Sequence, residues 1–202
     1  MRKGRKVYAT YVLIVANCFM FAVEQKSGGS EDLSTLYRLG ALIPETVFMG
    51  EWWRVLSANF LHLNPLHLLT NMLGLYVLGR FVEKRLGSVK VLIAYFVSGT
   101  GAMLMVAVLA ILANVPDLLC VGASGAVMGL LGAIAAIRLR GWQQEKAKFA
   151  RNQLGWILGL VGLQIVSDLM IPETSLVGHV SGFILGFLTG YFLSAGPNNS
   201  LR

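Results

Sequence analysis

Two residues in this chain have little reason to lie in apolar sequence unless they react. Ser124 sits in the run Gly122-Ala123-Ser124-Gly125, and His179 sits in a second apolar run. A serine hydroxyl is a weak nucleophile until a base takes its proton, and neutral imidazole has a suitable pKa for that task. Acyl transfer also needs fixed donors for the oxyanion of the tetrahedral intermediate. His67 and Asn71, spaced i and i+4, share one helical face and offer a ring N–H and an amide. The Ser124 backbone N–H is a third donor, because the first turns of a helix leave N–H groups unpaired. The small residues Gly122, Ala123 and Gly125 leave room for a substrate backbone beside the hydroxyl. No buried acid stands out to orient His179. Asp168 is a candidate near an apolar segment's outer end, but a Ser–His dyad is the simpler expectation.

These residues need a scaffold, and composition defines its class. The 202 residues are 55% hydrophobic and 13% charged, which is too apolar for a soluble domain of this size. A membrane span takes about 20 largely apolar residues. Six segments qualify: Val7 to Val23, Pro65 to Leu78, Val89 to Ala113, Leu118 to Leu139, Leu154 to Ile171 and Ser175 to Leu193. The short second one continues through Val82, with Arg80 snorkelling to the interface. The expectation is an all-α membrane protein, one six-helix bundle over residues 1–202 with no internal repeat.

Charge sorts the connections. With residues 1–6 inside, inner segments hold Arg2, Lys3, Arg5, Lys6, Arg80, Lys84, Arg85, Lys90, Arg138, Arg140, Lys146, Lys148, Arg151 and Arg202. Of the 17 basic residues only Lys26, Arg38 and Arg54 fall outside. Inner loops carry the Lys/Arg excess, so both termini, including the tail 196–202, read as cytoplasmic. The net charge of +7 reports orientation rather than nucleic-acid binding. The basic N-terminus precedes a run without a small-x-small cleavage site, so it reads as a retained helix rather than a signal peptide. Two cysteines, Cys18 and Cys120, do not make a disulfide framework or a four-ligand metal site. Residues 24–64 form a long outer loop, and loops of that length carry structure or function. Its Glu51-Trp52-Trp53-Arg54 stretch suits the membrane interface.

Depth brings the reactive groups together. At about 1.5 Å per residue, Ser124 lies about 10 Å beyond Asp117, and His179 about 9 Å beyond Glu173. Asn71 lies about 9 Å beyond Pro65. All three segments enter from the outer side, so these groups converge on one level. Gly125, Gly129 and Gly132, facing Gly178, Gly182, Gly186 and Gly190, have the small-residue spacing that lets membrane helices approach closely.

Taken singly, each residue has a plainer reading. Ser124 is then a packing residue, His67 and Asn71 interhelical hydrogen-bonding groups, and His179 a satisfied core histidine. His62, at a helix entrance, reads as a tie for the outer loop. A transporter is disfavoured because no acid lies deep in a segment and no inverted repeat is present. A zinc hydrolase would want a carboxylate with its histidines or an HExxH motif.

The ordered set resembles the rhomboid family of intramembrane serine proteases. It comprises Trp53-Arg54, then His62, His67 and Asn71, then Glu83-Lys84-Arg85-Leu86-Gly87, then Gly122-Ala123-Ser124-Gly125, and finally Gly178-His179-x2-Gly182-x3-Gly186. The resemblance implies a cofactor-free, metal-free endopeptidase with Ser124 as nucleophile and His179 as base. His67 and Asn71 would stabilise the oxyanion, with Gly122 and Met128 supporting substrate and site. Met128 stands where the family often has an aromatic packed on the catalytic imidazole. Trp53-Arg54 and Glu83 would be structural. Expected partners are the lipid bilayer and transmembrane segments of other proteins, cut near their outer ends. The alternative within the family is an inactive relative that binds membrane clients. The site would face the extracytoplasmic side of a cell membrane, beneath a cover at Pro172 to Val177 or a tilting fifth helix. The sequence specifies neither an oligomeric state nor a particular substrate.

Overall fold

Apolar runs without β-branched alternation favour helices, and the computed structural model contains little else. It describes residues 6–145, 148–170 and 175–195, where the one extended feature is an isolated bridge between Leu42 and Cys120. The N-terminal residues 1–5, the tail 196–202 and the first half of the expected cover at Pro172 to Val177 lie outside the described residues. Helix α1 runs Ala9–Ser27. The outer connection folds into α2 (Leu33–Leu39), α3 (Pro44–Phe48) and α4 (Arg54–Ser57), followed by a 3-10 turn, Ala58–Phe60. Helix α5 (Pro65–Gly74) passes through a π turn at Leu75–Gly79 into α6 (Arg80–Leu86). The long helices follow: α7 (Ser88–Leu112), α8 (Ser124–Glu145), α9 (Lys148–Met170) and α10 (Leu176–Leu193).

Four of these are long and apolar enough to cross a membrane: Ser88–Leu112, Ser124–Gln143, Arg151–Met170 and Leu176–Leu193. The first two expected segments are helical as well, but α1 carries the buried polar residues Thr10, Asn17 and Glu24. The second is divided by the π turn. Sequence expected the second segment to continue to Val82, and the helical path in fact reaches Leu86.

Helix α8 is the axis of the bundle. Of its apolar window 72% is buried, against 50% for α7, 28% for α10 and 11% for α9. Its partner contact is made by backbone. A Cβ built at Gly182 or Gly186 would land on the carbonyl oxygen of Gly125 or Gly129, and one at Gly190 would stand 2.5 Å from the Ala133 Cα. These pairs advance by four on both helices, so α8 and α10 run parallel in fixed register. Glycine is required there because nothing larger fits. The same device admits neighbouring helices, since a Cβ at Gly74 would meet Val127 Cγ1 at 2.7 Å.

Buried charge closes the other joints. The fully buried Glu83 carboxylate accepts the N–H groups of Tyr8, Ala9 and Thr10 at 2.9, 2.8 and 2.9 Å, and the Thr10 hydroxyl at 2.7 Å. The first N–H groups of a helix have no intrahelical acceptor, and a carboxylate there also opposes the positive end of the helix dipole. Ser88 Oγ donates to the same carboxylate at 2.6 Å, tying α1, α6 and α7 at one point. Lys90 Nζ donates to the Leu193 carbonyl at 2.6 Å and fastens the end of α10 to the start of α7.

The glycine contact generates a prediction. Gly186→Val should lower the unfolding midpoint in detergent, at a cost of about 3 kcal/mol or more, because backbone must move to admit the side chain. Gly159→Val on α9, where an added Cβ meets nothing within 4 Å, is the control and should leave the midpoint nearly unchanged. Equal midpoints for the two variants would show that the α8–α10 contact is not close.

Candidate functional site

Ser124 is the first residue of α8, and the outer connection determines where that helix begins. The segment before it is held by backbone hydrogen bonds. Leu42 and Cys120 exchange N–H···O bonds of 3.0 Å, Glu45 N–H donates to the Pro116 carbonyl at 3.1 Å, and Gly122 N–H donates to the Ala58 carbonyl at 2.9 Å. Gly122 has φ +125°, a conformation that L side chains rarely adopt. An added Cβ would lie 2.7 and 2.8 Å from His67 Cε1 and Nε2, and 3.8 Å from Ser124 Oγ. The His67 ring therefore lies across Gly122 on the side where the Ser124 hydroxyl points. Ser124 is half-buried, with its N–H at the N-terminal end of α8, where no preceding carbonyl of the helix can accept it.

The outer connection is rigid enough to do this because Arg54 is buried within it. Its guanidinium donates to the carbonyls of Tyr37 and Ala41 at 2.8 and 3.0 Å and pairs with Glu51. It also lies over the rings of Tyr37 and Trp53, 4.5 and 4.8 Å from their centroids. This is the structural role expected of the Trp53-Arg54 pair. Trp52 is 72% exposed, as an interfacial residue would be.

His179 lies in the first turn of α10, whose N-cap Ser175 accepts the Gly178 N–H at 3.1 Å. The Gly178 carbonyl oxygen is 3.5 Å from a Cβ built at Gly125. Residues 124–125 and 178–179 are therefore neighbours across the α8–α10 contact. His67 and His179 are near enough to interact electrostatically. Asn71 is buried on α5, and its side-chain N–H donates to the His67 carbonyl at 2.9 Å. One of its two amide hydrogens is thus spent within its own helix, leaving one for another acceptor. Met128, one turn after Ser124, is buried in the main core cluster.

One expectation is corrected here. A buried acid does lie against His179: Asp168 on α9 places its carboxylate oxygens 2.9 and 2.8 Å from His179 Nδ1. Gln164, one turn earlier, donates from Nε2 to Asp168 Oδ1 at 2.8 Å. The sequence named Asp168 as a candidate but favoured the simpler dyad, because only separation along the chain was visible and Asp168 lies on a different helix from His179. The signal available was an ionisable residue within an otherwise apolar span.

His62 also differs from expectation. Its tie to α1 is made by the backbone N–H, which donates to the buried Glu24 carboxylate at 3.2 and 3.3 Å. The side chain is fully buried and packs edge-on against His67, with ring centroids 5.2 Å apart. Neither ring nitrogen has a partner in hydrogen-bond geometry among the described residues. No group of three or more His, Cys, Asp or Glu side chains placed to hold a metal occurs among the described residues.

A membrane bundle built on an α8–α10 glycine contact, with a serine and a histidine at its shared end, defines a class of intramembrane proteins. The Rhomboid domain family matches residues 49–196, and the chain belongs to the rhomboid family. It is 31% identical over 167 residues to RHOMBOID-like protein 6, mitochondrial, of Arabidopsis thaliana, covering 82% of this chain and 52% of that protein. It is 31% identical over 179 residues to Rhomboid protease GluP of Bacillus subtilis, covering 88% of this chain and 33% of the relative. Rhomboid protease AarA of Providencia stuartii is 28% identical over 198 residues, covering 89% and 69%. The chain therefore spans about half the length of the first of these relatives and a third of the second. With its apolar helices, family membership makes it an integral, multi-pass membrane protein.

The buried His62 has a measurable consequence. It precedes α5 in the outer connection, and burial, with the His67 charge adding to it, pushes its imidazole from 6.5 down to about 3. The Phe60 carbonyl offsets only part of this. Between those values the unfolded chain binds a proton that the folded chain does not, so stability is full above pH 6.5 and falls as pH drops toward 3. His62→Phe should flatten the decline of the unfolding midpoint between pH 7 and pH 4. An identical decline in both proteins would assign the acid sensitivity to other groups.

Proposed function

We propose that this chain is an intramembrane serine endopeptidase in which Ser124 is the nucleophile and His179 the base. The observation that carries the reading is the register of α8 and α10. Their backbone contact brings residues 124–125 beside 178–179, with a carboxylate on the far nitrogen of the imidazole. A carboxylate only accepts, so the proton resides on Nδ1 and Nε2 is left with a lone pair. In the reaction Ser124 Oγ attacks the peptide carbonyl carbon while His179 Nε2 takes the hydroxyl proton. The carbonyl oxygen becomes an oxyanion facing the Ser124 N–H, the His67 ring and the free N–H of Asn71. Collapse breaks the C–N bond, and the imidazolium returns the proton to the departing amine. Water then attacks the serine ester with the same base, releasing the acid and restoring Ser124. Gly122 leaves room for the substrate backbone and Met128 packs beneath the site. No cofactor takes part.

The substrates on this reading are transmembrane segments of other proteins, cut near their outer ends. The proposed topology has six spans with α1 and the α5–α6 rod included, both termini cytoplasmic and the site toward the outer face. The asymmetry of basic residues supports it. Parallel α8 and α10, separated by one intervening helix, are consistent with an even number of crossings between their outer ends.

Ser124→Ala should abolish cleavage of a transmembrane reporter while the protein remains folded in detergent, because a methyl group cannot attack a carbonyl. A fluorophosphonate probe should label wild type and not this variant. Capture of membrane clients without any labelling of wild type would favour an inactive binding protein instead. Asn71→Ala should slow turnover about 10- to 1000-fold, as removal of one oxyanion donor does. An unchanged kcat with altered KM would make Asn71 a substrate-binding residue. Turnover should survive chelators, and zinc-restored loss would point to a metal enzyme.

A further inference from the structure

From the geometry around Nδ1 we infer that Asp168 is a positioning residue for His179, making the site a Ser124–His179–Asp168 triad with Gln164 supporting the carboxylate. The inference rests on the Ser124–His179 reading. Three observations carry it.

The first is geometry. Both carboxylate oxygens approach Nδ1 within 2.9 Å, and Gln164 Nε2 holds one of them at 2.8 Å from one turn away on the same helix. Two α9 side chains thus converge on one imidazole of α10.

The second is burial. From 151 to 170, only Ile157 and Asp168 of α9 are buried, and added Cβ atoms at Gly155, Gly159 and Gly162 meet nothing within 4 Å. A helix that otherwise turns apolar residues outward buries one carboxylate, and buries it at the imidazole. Packing does not call for an ionisable side chain there, since an apolar residue would be cheaper in a membrane bundle.

The third is chemistry. An imidazole that must accept a proton at Nε2 needs its other proton fixed on Nδ1, and the imidazolium that forms is stabilised by a carboxylate beside it. Among the described residues, the titratable groups facing His179 are Asp168 from α9 and His67 from α5. The outer half of α7, α8 before Arg138, and α10 before Tyr191 carry no other ionisable residue. Asp168 is thus the acid available to this base among the described residues.

The test uses the full chain in detergent with a transmembrane reporter. Asp168→Asn should lower kcat about 100- to 10,000-fold with KM nearly unchanged, as loss of the orienting carboxylate does in a serine triad. The acidic limb of kcat/KM should move to lower pH, because an imidazolium without its counter-charge gives up its proton more easily. Asp168→Glu should recover part of the rate. A purely structural residue would change stability without moving the limb. Selective nitrogen-15 labelling of histidine keeps the test independent of how the variants fold. In wild type, the resonances lost in His179→Ala should report a neutral ring protonated at Nδ1. A ring protonated at Nε2, or an Asp168→Asn enzyme with wild-type kcat and an unmoved limb, would overturn the role of Asp168. Cleavage that survives Ser124→Ala would instead overturn the underlying nucleophile assignment, so the two failures are told apart.

Discussion

The structure depends on a contact that contains almost no side chains. In lipid there is little hydrophobic force between helices, so association relies on close packing and interhelical polar bonds. Helices α8 and α10 meet this condition with glycine against backbone at Gly125–Gly182, Gly129–Gly186 and Ala133–Gly190. A side-chain interface tolerates a shift by repacking; a backbone interface does not, because a carbonyl oxygen has no alternative rotamer. The register of two parallel helices is thereby fixed to a fraction of a turn. Ser124 precedes Gly125 by one residue, and His179 follows Gly178 by one. Their relative position is a consequence of that register rather than of any contact between them.

The remaining precision comes from backbone polar groups outside the apolar helices. An irregular segment before α8 must have its N–H and C=O groups paired, or it costs free energy for each one buried. The Leu42–Cys120 bridge and the Gly122–Ala58 bond do this, and Arg54 in turn supplies the donors for the carbonyls of Tyr37 near the end of α2 and Ala41 just beyond it. Glu83 performs the equivalent service at the start of α1. These buried charges stabilise little by themselves, since desolvation offsets much of the attraction. Their effect is to make one arrangement of the loops far better than its competitors.

Legibility in the sequence followed the same physics. The glycine rows were readable because a spacing of four is written in the chain, and Ser124 and His179 because polar groups are rare in apolar runs. The convergence of α5, α8 and α10 at one depth followed from helical rise alone. What escaped was whatever depended on pitch or on a partner far along the chain. The π turn at Leu75–Gly79 has no periodic signature, so the second segment looked short although its helical path extends to Leu86. The outer connection read as a loop because α2, α3 and α4 are too brief to show a 3.6-residue pattern; its order is set by Asp32 capping α2 and by Arg54. Asp168 was visible as a candidate partner for His179 but not as a buried one, because nothing in an outward-facing helix marks which side it turns inward.

That last point has an energetic side. The three members of the proposed triad stand on helices of very different burial, with the nucleophile on the most enclosed and the carboxylate on the least. Resistance to local opening follows buried contact, so segments with few apolar contacts separate at a lower cost than the whole fold. Helix α9 has few such contacts, and the hydrogen bonds of Asp168 to His179 join it to the bundle at the imidazole itself. Any excursion of α9 from α10 therefore removes the carboxylate from Nδ1 while leaving Ser124, Gly125 and the glycine register untouched. On the triad reading, the orientation of the imidazole would therefore be lost at a lower cost than the fold itself.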